Sequence, residues 1–135
     1  MAFKDILLAA LAALIMIQEG TSCVCTAVYY SLCQKYDMSD AVVHGTALSR
    51  NVTADTATYT IDIITLYKAE DNVTYSDEVS VNTPASTDDC GVTLTIGEEY
   101  LIGLDSDNDG TYTVVACHGL YETWSTDVEE EVATC

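Results

Sequence analysis

Residues 57–69, ATYTIDIITLYKA, decide the fold class. Threonine, tyrosine and isoleucine, the residues that fit a pleated half-buried surface, dominate the stretch, and Tyr59, Ile61 and Ile63 recur on one face. That period of two predicts a strand. Working outward, AVVHGTAL at 41–48 reads as a partner strand, with the polar residues Asn51 to Thr56 turning the chain between the two. EVSVNT (78–83), GEEYLIGL (97–104) and GTYTVVACH (110–118) give three more. Five strands at this spacing predict a mainly β domain, a small sandwich or barrel. Short helices flank it: TAVYYSLCQKY (26–36) places Val28, Tyr29, Leu32, Cys33 and Tyr36 at helical spacing, and the tail from Tyr121 to Thr134, with Trp124 and Glu129–Glu131, reads as a closing helix.

Ahead of the β region, Lys4 precedes an unbroken apolar run from Ile6 to Ile17, with small residues at Gly20 and Ser22. This is the layout of a secretory signal peptide over residues 1–22, cleaved after Ser22, although Asp5 is unusual there. The run is too short for the roughly 20 apolar residues that span a bilayer. Residues 23–135 then form one domain, expected to be secreted, extracellular and monomeric, with no membrane partner. The formal net charge of −18 becomes −17 when Lys4, Asp5 and Glu19 leave, and Lys35, Arg50 and Lys68 are the remaining cations. Such a surface repels nucleic acid and anionic lipid.

All six cysteines, Cys23, Cys25, Cys33, Cys90, Cys117 and Cys135, follow the cleavage point, and an even number in a small secreted domain reads as a disulfide framework. Sequence spacing leaves the pairing open. A zinc site is disfavoured, because Cys23-Val24-Cys25 is too tight for finger-like ligand pairs. Asn51-Val52-Thr53 and Asn72-Val73-Thr74 are N-glycosylation sequons suited to the same compartment. Asp105-Ser-Asp107-Asn-Asp109-Gly110 copies the first half of an EF-hand loop, but Ala116 stands where the bidentate Glu belongs and the flanks read as strands. An acidic turn is the better reading. No nucleophile motif or metal-protease motif occurs, and the histidines, His44 and His118, sit in or at the end of predicted strands. No enzyme activity and no cofactor are expected.

The informative pattern is Cys23-Val24-Cys25, then Cys33, then DAVVHGTAL from Asp40, Ser86-x3-Cys90-Gly91-Val92-x-Leu94, Glu99-Tyr-Leu-Ile-Gly103, Cys117, Trp124 and Cys135. In these segments the chain resembles the N-terminal, inhibitory domain of the tissue inhibitors of metalloproteinases, a family with the netrin-like (NTR) version of the OB-fold barrel. The resemblance implies the disulfides Cys23–Cys90, Cys25–Cys117 and Cys33–Cys135. It implies further that the α-amine and carbonyl oxygen of Cys23 chelate the catalytic zinc of a matrix metalloproteinase-like target. Cys23 would then be a metal ligand only in the complex. Val24 would enter the specificity pocket, with Cys25, Asp88, Asp89 and Cys90 in contact with the protease.

The chain departs from the family pattern at several of these places. Val24 replaces the usual Thr or Ser, Thr26–Tyr30 lacks the family's prolines, and Asp88-Asp89 replaces a small and an apolar residue. Nothing after Cys135 corresponds to the second six-cysteine domain of vertebrate members, so interactions carried by that domain are not expected. The rival expectation is a netrin-like interaction module that binds a receptor, matrix or immune component and keeps the cysteines only as staples.

Overall fold

The computed structural model describes residues 23–25, 29–107 and 111–135. The proposed signal peptide lies outside the described residues. In chain order the elements are α1 (Leu32–Met38), β1 (Ala41–Thr53), β2 (Thr56–Lys68), β3 (Glu78–Pro84), a 3-10 turn (Thr87–Asp89), β4 (Glu99–Ser106), β5 (Tyr112–Thr113), β6 (Tyr121–Thr123) and α2 (Thr126–Val132).

The sheet runs β1-β2-β3-β5-β4-β6, and β1 also pairs with β4. Five strands therefore close on themselves, and β6 pairs with Tyr100–Ile102 of β4 along the edge opposite β1. Every pairing is antiparallel except β3 with β5, which are parallel and meet only at Val81–Tyr112 and Asn82–Thr113. This is the barrel of the OB fold, and its shortest joins are the two-residue pairings of β5 with β3 and with β4. Curvature comes from β1, whose register against β2 slips between Val42 and Val43, His44 and Gly45, and Ala47 and Ser49. Each bulge bends the strand and sharpens its twist. At one of them a Cβ on Gly45 would lie 2.6 Å from the Asp62 carbonyl oxygen.

Burial follows from two cores sharing the same strands. Inside the barrel pack Val43, Ala47, Tyr59, Ile61, Val81, Ile102 and Leu104. Outside, Val42 and Leu101 meet Leu32 of α1, Val132 of α2 and Leu120. Ala41–Gly45 and Tyr100–Leu104 are thus buried on both faces and do not alternate as strands with one wet face do. Tyr59 adds a polar function to the inner core, its hydroxyl accepting from the buried Leu94 N–H at 3.2 Å. Tyr59→Phe strands that donor, and a loss of about 1–3 kcal/mol is expected in urea melts at unchanged m value.

Several sequence expectations need correction. Residues 26–28 are outside the described set, and the helix expected from Thr26 begins at Leu32 and runs on to Met38. Ser31 caps it: its hydroxyl accepts from Gln34 N–H, and the Gln34 side chain accepts from Ser31 N–H. This capping box sets the start more firmly than the apolar spacing does. The 51–56 turn shrinks to Ala54-Asp55, because β1 stays paired through Thr53–Thr56. The fourth strand lies two residues later than expected, at Glu99–Ser106. The 110–118 strand is real only at Tyr112-Thr113, since the chain leaves the sheet to carry Cys117 to its disulfide partner. The tail holds a short strand as well as a helix.

Candidate functional site

The structure pairs Cys23 with Cys90, Cys25 with Cys117 and Cys33 with Cys135, at Cα separations of 5.1, 5.3 and 5.2 Å. This is the connectivity that the resemblance implies, and no described cysteine is free. Cys33–Cys135 ties α1 to the end of the chain, beside the outer core. The other two bridges hold the segment Cys23-Val24-Cys25 and lie side by side, with the Sγ atoms of Cys23 and Cys117 3.9 Å apart. The Sγ atoms of Cys23, Cys90 and Cys117 all fall within 4.8 Å of one another. They are spent in disulfides, so the cluster has no thiolate to offer a metal.

The loops that present these cysteines are built with little freedom. After Pro84 ends β3, Ser86 caps the Thr87–Asp89 turn, its hydroxyl accepting from Asp88 N–H at 3.1 Å. Ser86 O accepts from Asp89 N–H and Gly91 N–H, and Thr87 O from Cys90 N–H. This bonding holds Cys90 in the left-handed region at φ 67°. Gly91 is required next, because a Cβ there would lie 2.0 Å from the Pro84 carbonyl oxygen. On the second loop, His118 N–H donates to Ala116 O around Cys117, whose φ is 76°, a γ-turn of the rarer, strained hand. Ala116 N–H donates to Cys90 O at 2.9 Å, which fastens the two loops to each other.

Between its two fixed neighbours, Val24 is 82% exposed. Its side chain stands open to water on a doubly bridged backbone, free to be covered by a partner. Tyr29 is 94% exposed, while Tyr30 sets its ring edge against His118 at 5.7 Å. Asp88 and Asp89 are both exposed on the Cys90 loop. Asp89 lines a cavity of about 340 Å³ together with Asp55, Thr56, Asn82, Pro84 and Thr113. The tip of the β1–β2 hairpin is bound to the same loop through Ala85 N–H to Asp55 O and Arg50 to Ala85 O.

The remaining candidates lie elsewhere. Asn51 is exposed in β1 opposite Thr58, and Asn72 is exposed in a turn at φ 63°. His44 is buried, its Nε2 2.8 Å from Glu99 Oε1 and its ring stacked on Trp124 at 3.6 Å, whereas His118 is exposed. In the EF-hand-like stretch, residues 108–110 lie outside the described set. Of the rest, Asp107 accepts from the Thr111 N–H and hydroxyl. Asp105 is half-buried, and that burial, then the nearby Asp40, raises its carboxyl above the ordinary range. The turn joins β4 to β5, the strand flanks that argue against an EF-hand.

Sequence reading missed the supporting residues: Ser86, Gly91 as a steric necessity, and the Asp55–Ala85 and Arg50–Ala85 contacts. Ser86-Thr-Asp-Asp89 carries the S-x-x-D signature of an N-cap and was the available signal for the turn. The hairpin contacts join residues 30 or more apart and have no local signature.

Among the described residues no helix is long and apolar enough to cross a membrane. A search of curated proteins returned no match. The sequence profile described as tissue inhibitor of metalloproteinase matches residues 21–130, taking in the Cys23–Cys25 segment, the whole barrel and most of α2. A closed OB-type barrel, three disulfides and that match over most of the chain agree: the protein belongs to the tissue inhibitors of metalloproteinases.

Proposed function

We propose that the protein is secreted and inhibits a zinc metalloproteinase by offering the Cys23 α-amine and carbonyl oxygen to the catalytic zinc, with Val24 seated in the adjoining specificity pocket. The observation that carries this reading is the exposed Val24 held between two bridged cysteines. Cleavage after Ser22 frees the amine, whose ordinary pKa near 8 leaves it readily deprotonated. An amine and a carbonyl on one residue form a five-membered chelate, and the two disulfides fix it before binding, so little ordering cost remains for the encounter. Valine keeps the shape of threonine without its hydroxyl, which changes selectivity among pockets more than it weakens binding. Titrating the mature protein against a panel of zinc metalloproteinases tests the proposal. Inhibition of at least one, at a stoichiometry of one to one, is expected. A folded protein that inhibits none hands the case to the interaction-module reading.

Asp88 and Asp89 flank this ridge and modulate it. A desolvated, unpaired carboxylate at an interface costs several kcal/mol. Replacing Asp88 by Ser and Asp89 by Val is therefore expected to tighten inhibition, mainly through slower dissociation in stopped-flow or surface-based kinetics. Unchanged affinity would place both carboxylates in solvent at the edge of the complex. Weaker binding would mean that they meet cationic groups of the target.

A further inference from the structure

The loop between β2 and β3 contains Asn72-Val73-Thr74, and all three residues are exposed. Asn72 sits at φ 63°, a left-handed conformation that asparagine tolerates better than most residues, in a turn closed by Val73 N–H to Glu70 O. The loop is ordered around Tyr75, whose hydroxyl accepts from Glu70 N–H and lies 3.5 Å from Glu70 Oε1. The Tyr75 ring stacks on Tyr112 of β5, with centroids 6.0 Å apart and planes at 29°. Beside this pair lies a cavity of about 340 Å³, lined by Val73, Thr74, Tyr75, Ser80, Thr111 and Tyr112 among others. Two of the three sequon residues thus line a mixed polar and apolar cavity that includes two tyrosines.

We propose that Asn72 carries an N-linked glycan whose first N-acetylglucosamine lies in this cavity against Tyr75 and Tyr112. In the transfer, a bond forms between Asn72 Nδ2 and the anomeric carbon of the sugar. The bond broken joins that carbon to the diphosphate of a lipid-linked oligosaccharide, which leaves with the electron pair as the amide gives up one proton. Val73 and Thr74, the next two residues, line the cavity, so a sugar attached at Asn72 starts at its rim. A pyranose ring matches such a lining, with C–H groups to set against aromatic carbon and hydroxyls to exchange hydrogen bonds with Ser80 and Thr111. The Tyr112 hydroxyl can donate as well as accept, and burial, then Tyr75, raises its pKa further above the ordinary value. Tethering makes the contact intramolecular, and even a weak sugar–aromatic contact is then populated. The proposal requires the secretory passage argued above and is independent of zinc chelation.

The test uses protein secreted from eukaryotic cells with Asn51→Gln in place, so that Asn72 is the one sequon left. Glycopeptide mass spectrometry reports occupancy. Melting is compared for the intact glycoform, for protein trimmed by an endoglycosidase to one N-acetylglucosamine, and for Thr74→Val, which removes the sequon but leaves Asn72 in its left-handed turn. The intact and trimmed forms should both melt about 3 °C above Thr74→Val, the shift expected from one added aromatic contact in a domain of this size. In a Tyr112→Thr background the gap should vanish. Nuclear Overhauser contacts from the sugar's acetyl methyl to the Tyr75 or Tyr112 ring provide a readout that does not depend on that variant folding. An unoccupied Asn72, a trimmed form that melts with Thr74→Val, or absent ring contacts would overturn the proposal. Inhibition measured on the same samples should not change.

Discussion

One alanine added ahead of Cys23 is expected to abolish inhibition while leaving the melting temperature unchanged. The extension turns the terminal amine into an amide nitrogen, a very poor metal ligand, and puts a residue where the zinc must sit. Losing the chelate and the pocket contact together should raise the inhibition constant about a thousandfold or more, equivalent to about 4 kcal/mol. The fold has no stake in the change, since the disulfides and both cores are untouched. Circular dichroism and thermal melts serve as the control. Proton linkage supplies a second signature. Protonation competes with zinc for the amine lone pair, so affinity should fall as pH drops below about 8. An extended, folded protein that inhibits at full strength would exclude terminal chelation.

Reduction is expected to unfold the chain under conditions where the oxidised protein is fully native. The bridges close loops of 67, 92 and 102 residues in sequence separation. Each is worth about 4 kcal/mol in the entropic model, and less in sum because the loops overlap. That total is comparable to the whole stability of a small domain, about 5–15 kcal/mol. Trp124 is a convenient reporter, being the single tryptophan of the chain and stacked on His44 at 3.6 Å. Its fluorescence should change together with the far-ultraviolet dichroism as the thiols are freed. A reduced chain that keeps its native spectra would refute the expectation, as would peptide mapping of the oxidised protein that finds a free thiol or another pairing.

Much of the barrel was legible because period-two patterning is a local signal. The alternation at Tyr59, Ile61 and Ile63 marks β2 correctly, with Tyr59 and Ile61 buried. The pattern fails where two cores share a strand: Ala41–Gly45 is buried throughout, so alternation could not show which side chains face inward. It fails again at β5, where propensity favours extended chain through Cys117 but the disulfide to Cys25 pulls the backbone out of the sheet after Thr113. The disulfide pairing came from family resemblance, because pairing is a property of topology and not of spacing. The proposed ridge residues were nameable for the same reason, while the caps and hairpin contacts around the Cys90 loop depend on distant partners.

The two-residue β3–β5 seam bears on how such a protein can evolve. Strand β3 exits toward Cys90 and β5 toward Cys117, and both cysteines are bonded to the tripeptide Cys23-Val24-Cys25. Cys23-Val24-Cys25 therefore laces together the two sides of one of the barrel's two shortest joins, and is also the proposed warhead. A lineage adapting to a new protease cannot shorten, lengthen or re-space this tripeptide without unlacing the barrel. Variation is expected instead at the one residue between the knots, Val24, and at Asp88 and Asp89, three of the positions where this chain departs from the family pattern.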